Sequence, residues 1–167
     1  MALSVQPEPH DSCTQLATLL LAQHRLLATA ESCTGGLIAA ACTDLAGSSA
    51  WFERGFVTYS NEAKTAMLGV DAQLIASHGA VSEAVARAMA LGALQQSRAQ
   101  VSVAVTGVAG PSGGSADKPV GTVWFAWGLP SGVTSEVHHF AGDRGAVRAA
   151  TVAHALSRLV TRLKEHS

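Results

Sequence analysis

The apolar segment RLLATAES, residues 25–32, runs into CTGG and then into an alanine-rich stretch that ends near Leu45. A short apolar run that stops at glycines reads as a buried strand. The longer stretch from Thr34 to Leu45, apolar all along, reads as a buried helix. A buried strand that turns into a buried helix is the building unit of an α/β sheet.

The rest of the chain repeats that alternation. The first ten residues read as a flexible N-terminal tail. Asp11 or Ser12 caps a helix to about His24, with Leu16, Leu19 and Leu20 on one side. AGSSAWFERGFVTYS carries a Gly-Ser turn and a strand near 55–60. Asn61 is suited to cap the short helix that Gly69 stops. Ser82 and Glu83 open a helix to about Ser97, with Val85, Met89 and Leu94 inward. QVSVAVTG (100–107) alternates as a strand. VGTVWFAWG (120–128) and VTSEVHHF (133–140) flank LPSG, a hairpin signal. Asp143 caps a last helix to about Lys164. No repeat or linker divides residues 11–167, so they are expected to form one domain. The expected fold is a three-layer α/β/α domain with a mixed, mainly parallel sheet containing a hairpin.

Composition narrows the function classes. Hydrophobic residues make up 48% and charged residues 14%, a folding rather than a disordered composition. The net charge of -1 gives no reason to expect nucleic acid or an anionic membrane as partner. Cys13, Cys33 and Cys42 fit no zinc spacing. No secretory leader is visible and no apolar run spans a membrane, so a cytoplasmic protein is expected.

Four stretches carry chemistry. Ser32 sits where strand turns to helix, before glycines that let backbone approach a ligand. Spacing alone leaves it as a helix cap or a nucleophile. Cys33 is a rival nucleophile or a small buried neighbour. YSNEAK places Lys64 at the third helical position if Asn61 caps. There the helix dipole and burial oppose its charge and favour a neutral base. Tyr59, the single tyrosine, stands at the preceding strand end. TGVAGPSGG (106–114) is a backbone-exposing loop that matches neither a P-loop nor a dinucleotide fingerprint. Arg144 and Arg148 share a helix face and suit phosphate or carboxylate, with Arg148 expected to be solvated. The seven histidines form no metal pattern, and adjacent His138 and His139 point to opposite faces of a strand.

Taken together, AESCTGG, GSSAWFERGFVTYSNEAK, AVSEAVA, AVTGVAGPSGG and KPVGTVWFAW closely resemble the CinA C-terminal domain family, over roughly residues 11–165. The resemblance implies a nicotinamide-nucleotide amidase. Such an enzyme hydrolyses nicotinamide mononucleotide to nicotinic acid mononucleotide and ammonia, and its product feeds NAD synthesis. It implies Ser32 as nucleophile, assisted by Lys64 and Tyr59. Thr106 and Gly107 are implied ligand contacts, and Arg144 matches the arginine of the family's GDR stretch. Thr34, Gly35, Gly36, Asn61 and Gly110 complete the expected substrate contacts. No metal or organic cofactor is implied, and a homo-oligomer is expected. Many members carry a further N-terminal domain with pyrophosphatase activity. This chain begins almost at the amidase domain, so that activity is expected to be missing. Two other readings stand beside the amidase: a non-catalytic nucleotide-binding regulator linked to competence or DNA damage, and an amidase of another small amide.

Overall fold

Side-chain alternation along the central strands sorts the core into two halves. The structure, a computed structural model, describes residues 5–166. Its elements are α1 Pro9–Ala22, β1 Leu27–Glu31, α2 Leu37–Thr43, a 3-10 turn Ser48–Ala50, β2 Phe52–Val57 and α3 Asn61–Leu68. They continue with α4 Ala72–His78, α5 Glu83–Gln95, β3 Val101–Gly107, β4 Thr122–Leu129, β5 Gly132–His139 and α6 Arg144–Glu165. The five strands form one sheet in the order β2-β1-β3-β4-β5. β1 pairs parallel with β2 and β3, and the β3–β4 and β4–β5 pairs are antiparallel. Four of the five strands therefore share a direction, as the mixed, mainly parallel sheet requires.

Leu27, Val101, Val103, Val105, Phe125 and Trp127 face one side. There they meet Cys13, Leu16 and Leu20 of α1, Ile38 and Cys42 of α2, and Leu156 and Leu159 of α6. Their neighbours Ala28, Ala30, Ala104 and Ala126 face the other side, against Leu68 of α3, Ile75 of α4 and Met89 of α5. The second face is lined by alanines, so α5 packs close to the sheet. A Cβ on Gly92 of α5 would lie 2.1 Å from the Leu68 carbonyl oxygen. Helices on both faces make the three-layer arrangement.

Most elements form where the residues predict, and the differences have local causes. α1 starts at Pro9, whose fixed φ suits a first helical turn, and Glu8 makes no side-chain cap. Ser60, not Asn61, caps α3 by accepting the Ala63 N–H at 3.0 Å. Lys64 therefore stands one position deeper in the helix than expected. Gly69 ends α3 in the left-handed conformation, as expected. Ser82 and Asp143 cap α5 and α6 as expected. Helix α4, with Asp71 as its cap, was not foreseen: seven residues are too few to display a helical period. Helix α2 is shorter than the Thr34–Leu45 expectation, because Ser32 to Gly36 form turns before it, and only Ile38 and Cys42 are buried. Leu94 is half-buried. Trp51 belongs to the core.

The topology sets where a site can form. The chain leaves β1 through α2 on one face and returns to β2. It then crosses by α3, α4 and α5 on the other face to β3. The carboxyl ends of β1 and β3 lie side by side, and β1 runs on into α2 while β3 runs on into the loop before β4, which opens a crevice there.

Candidate active site

The two residues that end β1 go to opposite faces. Glu31 follows the parity of Leu27 and turns toward α2. Its carboxylate accepts the Thr34 hydroxyl at 2.5 Å and the N–H groups of Ile38 and Ala39 at 2.8 and 3.0 Å. The first turn of α2 is thus occupied by a carboxylate of the chain itself. The first-turn N–H groups of Leu37, Ile38 and Ala39 are thus all committed within the chain, and Ser32 is not the helix cap. Ser32 has the parity of Ala28 and Ala30 and emerges on the face of α3. Its N–H is fixed to the Val105 carbonyl at 3.1 Å.

Lys64 reaches Ser32 from α3. Its side chain is 1% exposed, and its Nζ lies 3.2 Å from Ser32 Oγ, 2.9 Å from the Thr58 carbonyl and 3.4 Å from the Tyr59 carbonyl. Burial lowers its pKa below the ordinary lysine value, and the nearby Cys33 opposes this in part. No carboxylate forms an ion pair with it among the described residues. The lowered pKa favours the neutral amine more than for an exposed lysine, and in that form the three oxygens are all met. Two N–H bonds serve the two carbonyls, and the remaining lone pair can accept the Ser32 proton. Cys33 is buried beside them, and burial raises its thiol to about 11. A thiol held protonated is a poor nucleophile, which agrees with the buried-neighbour reading.

A cavity of about 210 Å³ opens over the pair. Seven of the residues expected at the site, Ser32, Tyr59, Asn61, Lys64, Thr106, Gly107 and Arg144, line it. Cys33, Ala80, Val81 and Ala109 complete its wall. Ala80 and Val81 carry no chemical signal in the sequence and come to the site only through the crossover after α4. Thr106 Oγ1 donates to the Ala80 carbonyl at 3.0 Å and ties that segment to β3. A Cβ on Gly107 would lie 2.7 Å from Val123 Cγ2, so strand pairing by itself demands glycine there.

The other four expected contacts stand off the wall. Thr34 is fully buried with its hydroxyl on Glu31. Gly35 and Gly36 take positive φ in the turn before α2. Gly110 shapes the loop: its carbonyl accepts from Arg144 Nη1 at 2.9 Å, and a Cβ would lie 2.5 Å from Val120 Cγ1.

Arg144 joins the two sides of the mouth. Besides Gly110, its Nη2 donates to the Tyr59 phenol oxygen at 3.1 Å. The Tyr59 ring is exposed, and its own O–H proton is left to donate outward. A second cavity of about 550 Å³, lined by Pro111, Val120, Gly142, Asp143 and Gly145, shares Ala109 and Arg144 with the first. Arg148 corrects its expectation. It is not a solvated residue: it bonds the carbonyls of Cys33 and Thr34 at 3.1 and 3.2 Å.

The histidines hold one surprise. Glu136, His138 and His154 bring three potential ligand atoms within 4.8 Å of one another. The sequence hides this because His154 comes from α6. Glu136 Oε1, however, already carries Arg158 and Arg162 at 2.7 and 3.1 Å, and its Oε2 lies 3.0 Å from His154 Nε2. Two guanidinium charges beside it oppose a cation, so the group is an ion-pair cluster.

Fold and site together define an α/β protein with a serine–lysine pair in a pocket at the carboxyl ends of its parallel strands. The chain belongs to the CinA C-terminal domain family, whose model matches residues 10–163. It is 55% identical over 147 residues to the nicotinamide-nucleotide amidohydrolase PncC of Escherichia coli strain K12, covering 87% of this chain and 88% of that one. It is 56% identical over 154 residues to the PncC of Pseudomonas putida, covering 90% and 96%. The solved competence damage-inducible protein A of Klebsiella pneumoniae superposes with a TM-score of 0.93 at 41% identity, covering 96% of this chain and all of that one. Among the described residues no helix is long and apolar enough to cross a membrane.

Proposed function

We propose that the chain is a nicotinamide-nucleotide amidase that releases ammonia from nicotinamide mononucleotide and leaves nicotinic acid mononucleotide, a precursor for NAD recycling. The observation that carries the mechanism is the buried Lys64 Nζ, 3.2 Å from Ser32 Oγ, with its pKa lowered by burial. The similarity to the two amidohydrolases supports the choice of substrate.

In the first step Ser32 Oγ attacks the carboxamide carbon while its proton passes to neutral Lys64. The oxygen charge that develops needs donors placed beforehand. Around the nucleophile the Gly35 N–H is committed to the Ser32 carbonyl and the Leu37 N–H to the Thr34 carbonyl. The N–H of Cys33, which lines the cavity, bonds no other residue among the described ones, and it is assigned to the oxyanion. The C–N bond then breaks. The leaving nitrogen takes the proton held by Lys64, directly or relayed through Tyr59 at the mouth, and departs as ammonia, so that Lys64 is neutral again. Water attacks the serine ester, with Lys64 again taking the proton. The acid product leaves and Ser32 regains its hydrogen. The nicotinamide occupies the inner cavity, and the ribose phosphate extends past Arg144 into the outer one. No metal or organic cofactor enters these steps.

The decisive measurement is ammonia release from nicotinamide mononucleotide, compared with nicotinamide and glutamine. Release from the nucleotide alone is expected. A Ser32→Ala protein that kept near-normal release would sink the mechanism. Silence on every amide with nucleotide binding intact would leave a regulator.

A further inference from the structure

Lys64 Nζ is within hydrogen-bond reach of three oxygens, Ser32 Oγ and the Thr58 and Tyr59 carbonyls. Three oxygens suit an ammonium with three donors as well as an amine with two. The contacts accommodate both forms, so the charges around Nζ decide which one holds. Those charges are few. Cys33, Tyr59 and Arg144 are the ionisable residues that line the cavity with Lys64, and among the described residues no carboxylate does. Glu31 is buried behind the nucleophile, with its oxygens engaged by Thr34, Ile38 and Ala39. Arg148 of α6 is committed to the Cys33 and Thr34 carbonyls. On the elements packed against Lys64 the other charges turn elsewhere. Glu83 and Arg87 of α5 bond Ser135, Asp71 caps α4, and Glu53 and Arg54 pair with each other at the start of β2. Glu62 and His78 are exposed. A cation that enters this cavity meets no anion there, and it shares a poorly solvated space with Lys64.

The proposed substrate is such a cation. Ribosylation of the ring nitrogen leaves nicotinamide mononucleotide with a pyridinium, a fixed positive charge that free nicotinamide lacks. That nitrogen is only three bonds from the carboxamide carbon. With the carbon in attack contact with Ser32 Oγ, the ring charge comes to about 7 Å from Nζ, where like charges in a partly buried site shift a pKa by roughly one unit or more. Burial already disfavours a proton on Lys64, and a neighbouring cation acts in the same direction.

We propose that the substrate's own charge completes the base: a pyridinium in the inner cavity and a proton on Lys64 exclude each other, so a cationic pyridine carboxamide brings Lys64 into its working form and a neutral carboxamide of the same shape does not. On binding, a protonated Lys64 gives its proton to solvent through the mouth and becomes the amine. That amine then takes the Ser32 proton when Oγ attacks. The linkage is reciprocal. The cation weakens proton binding, and the proton weakens binding of the cation by the same factor. The inference rests on the amidase reading for its substrate.

The test follows the Lys64 side chain itself. The chain holds three lysines, Lys64, Lys118 and Lys164, so carbon-13 signals of lysine-labelled protein can be titrated one by one, with the other two as controls. Full-length Ser32→Ala protein, which holds the substrate without consuming it, is titrated with nicotinamide mononucleotide and with the 5′-phosphate of 3-ribofuranosylbenzamide. The second ligand keeps the carboxamide, ribose and phosphate but has a neutral ring. The Lys64 midpoint is expected to lie about one unit or more lower under the nucleotide than under the neutral isostere. Over the same pH range the Kd of the nucleotide should fall about tenfold or more relative to that of the isostere, and Lys64→Met should abolish this difference. Midpoints that coincide overturn the proposal, and so does a ratio of the two affinities that stays flat with pH. If wild type releases no ammonia from the nucleotide while the two midpoints still separate, the amidase reading fails and the charge linkage stands. If the nucleotide does not bind, both fall.

Discussion

Two charged side chains meet different fates in this molecule. Lys64 is fully buried, and its partners are two carbonyls and a hydroxyl. Glu136 is partly buried, and its partners are Arg158, Arg162 and His154. Burial opposes both charges. At Lys64 nothing of opposite sign answers it, and the pKa falls. At Glu136 burial also works against the charge, but the hydrogen bonds and charges of Arg158 and His154 outweigh it, and the pKa drops to about 2. The first arrangement yields a group that can exchange a proton. The second locks one charge state and ties β5 to α6. What separates a reactive charge from a structural one here is the presence of an ionised partner.

Substitutions sharpen that contrast. The largest effect belongs to Ser32→Ala, expected to reduce ammonia release by about 1,000-fold or more, because the covalent route is gone. Lys64→Met comes next, with a loss of about 100-fold or more in kcat. Its stability should stay within about 1 kcal/mol of wild type at neutral pH, since relief of the buried amine offsets two unpaired carbonyls. Glu136→Gln should show the reverse pattern: a loss of about 1–3 kcal/mol in chemical denaturation, with activity nearly unchanged. If Glu136→Gln silenced the enzyme, or Lys64→Met unfolded it, the division between the two regions would fail.

Dependence on pH should separate them further. Activity should rise with pH through a midpoint below the lysine value of 10.5, as Lys64 loses its proton. The sign for stability follows from which state holds the proton more tightly. Unfolded Lys64 does, so wild type should gain on Lys64→Met as pH rises toward 10.5. For Glu136 the folded carboxyl is the stronger acid. Its contribution is complete above 4.5 and disappears as pH falls toward about 2, so wild type and Glu136→Gln should converge over that window. The smallest effect is at the mouth. Arg144→Lys should raise KM about tenfold, the equivalent of about 1.4 kcal/mol of binding, with little change in kcat.

Much of this architecture was readable from local pattern. The junction at residues 31–36, the LPSG hairpin and the Ser82 and Asp143 caps depend on neighbours in sequence, where alternation and capping chemistry act. Lys64 was suspected for a partly different reason. The sequence put weight on a helix-start dipole, whereas the observed shift comes from burial, with Lys64 a position deeper in α3. Ala80 and Val81 open the AVSEAVA stretch of the family resemblance, but their place in the wall was not legible, because apolar residues gain a role only by the place the crossover gives them. Arg148 was misjudged because a carbonyl partner 115 positions away leaves no trace in spacing.

The sequence by itself determined the alternation of strands and helices, the family, and the residue types able to attack an amide. Only the tertiary structure decided which of them meet. Ser32 and Lys64 are thirty-two positions apart, and a hydroxyl becomes a nucleophile only beside a base. That base is available because packing removed it from water and gave it no counter-charge. Desolvation depends on all the chain that surrounds a group, so it exists only once the chain has folded.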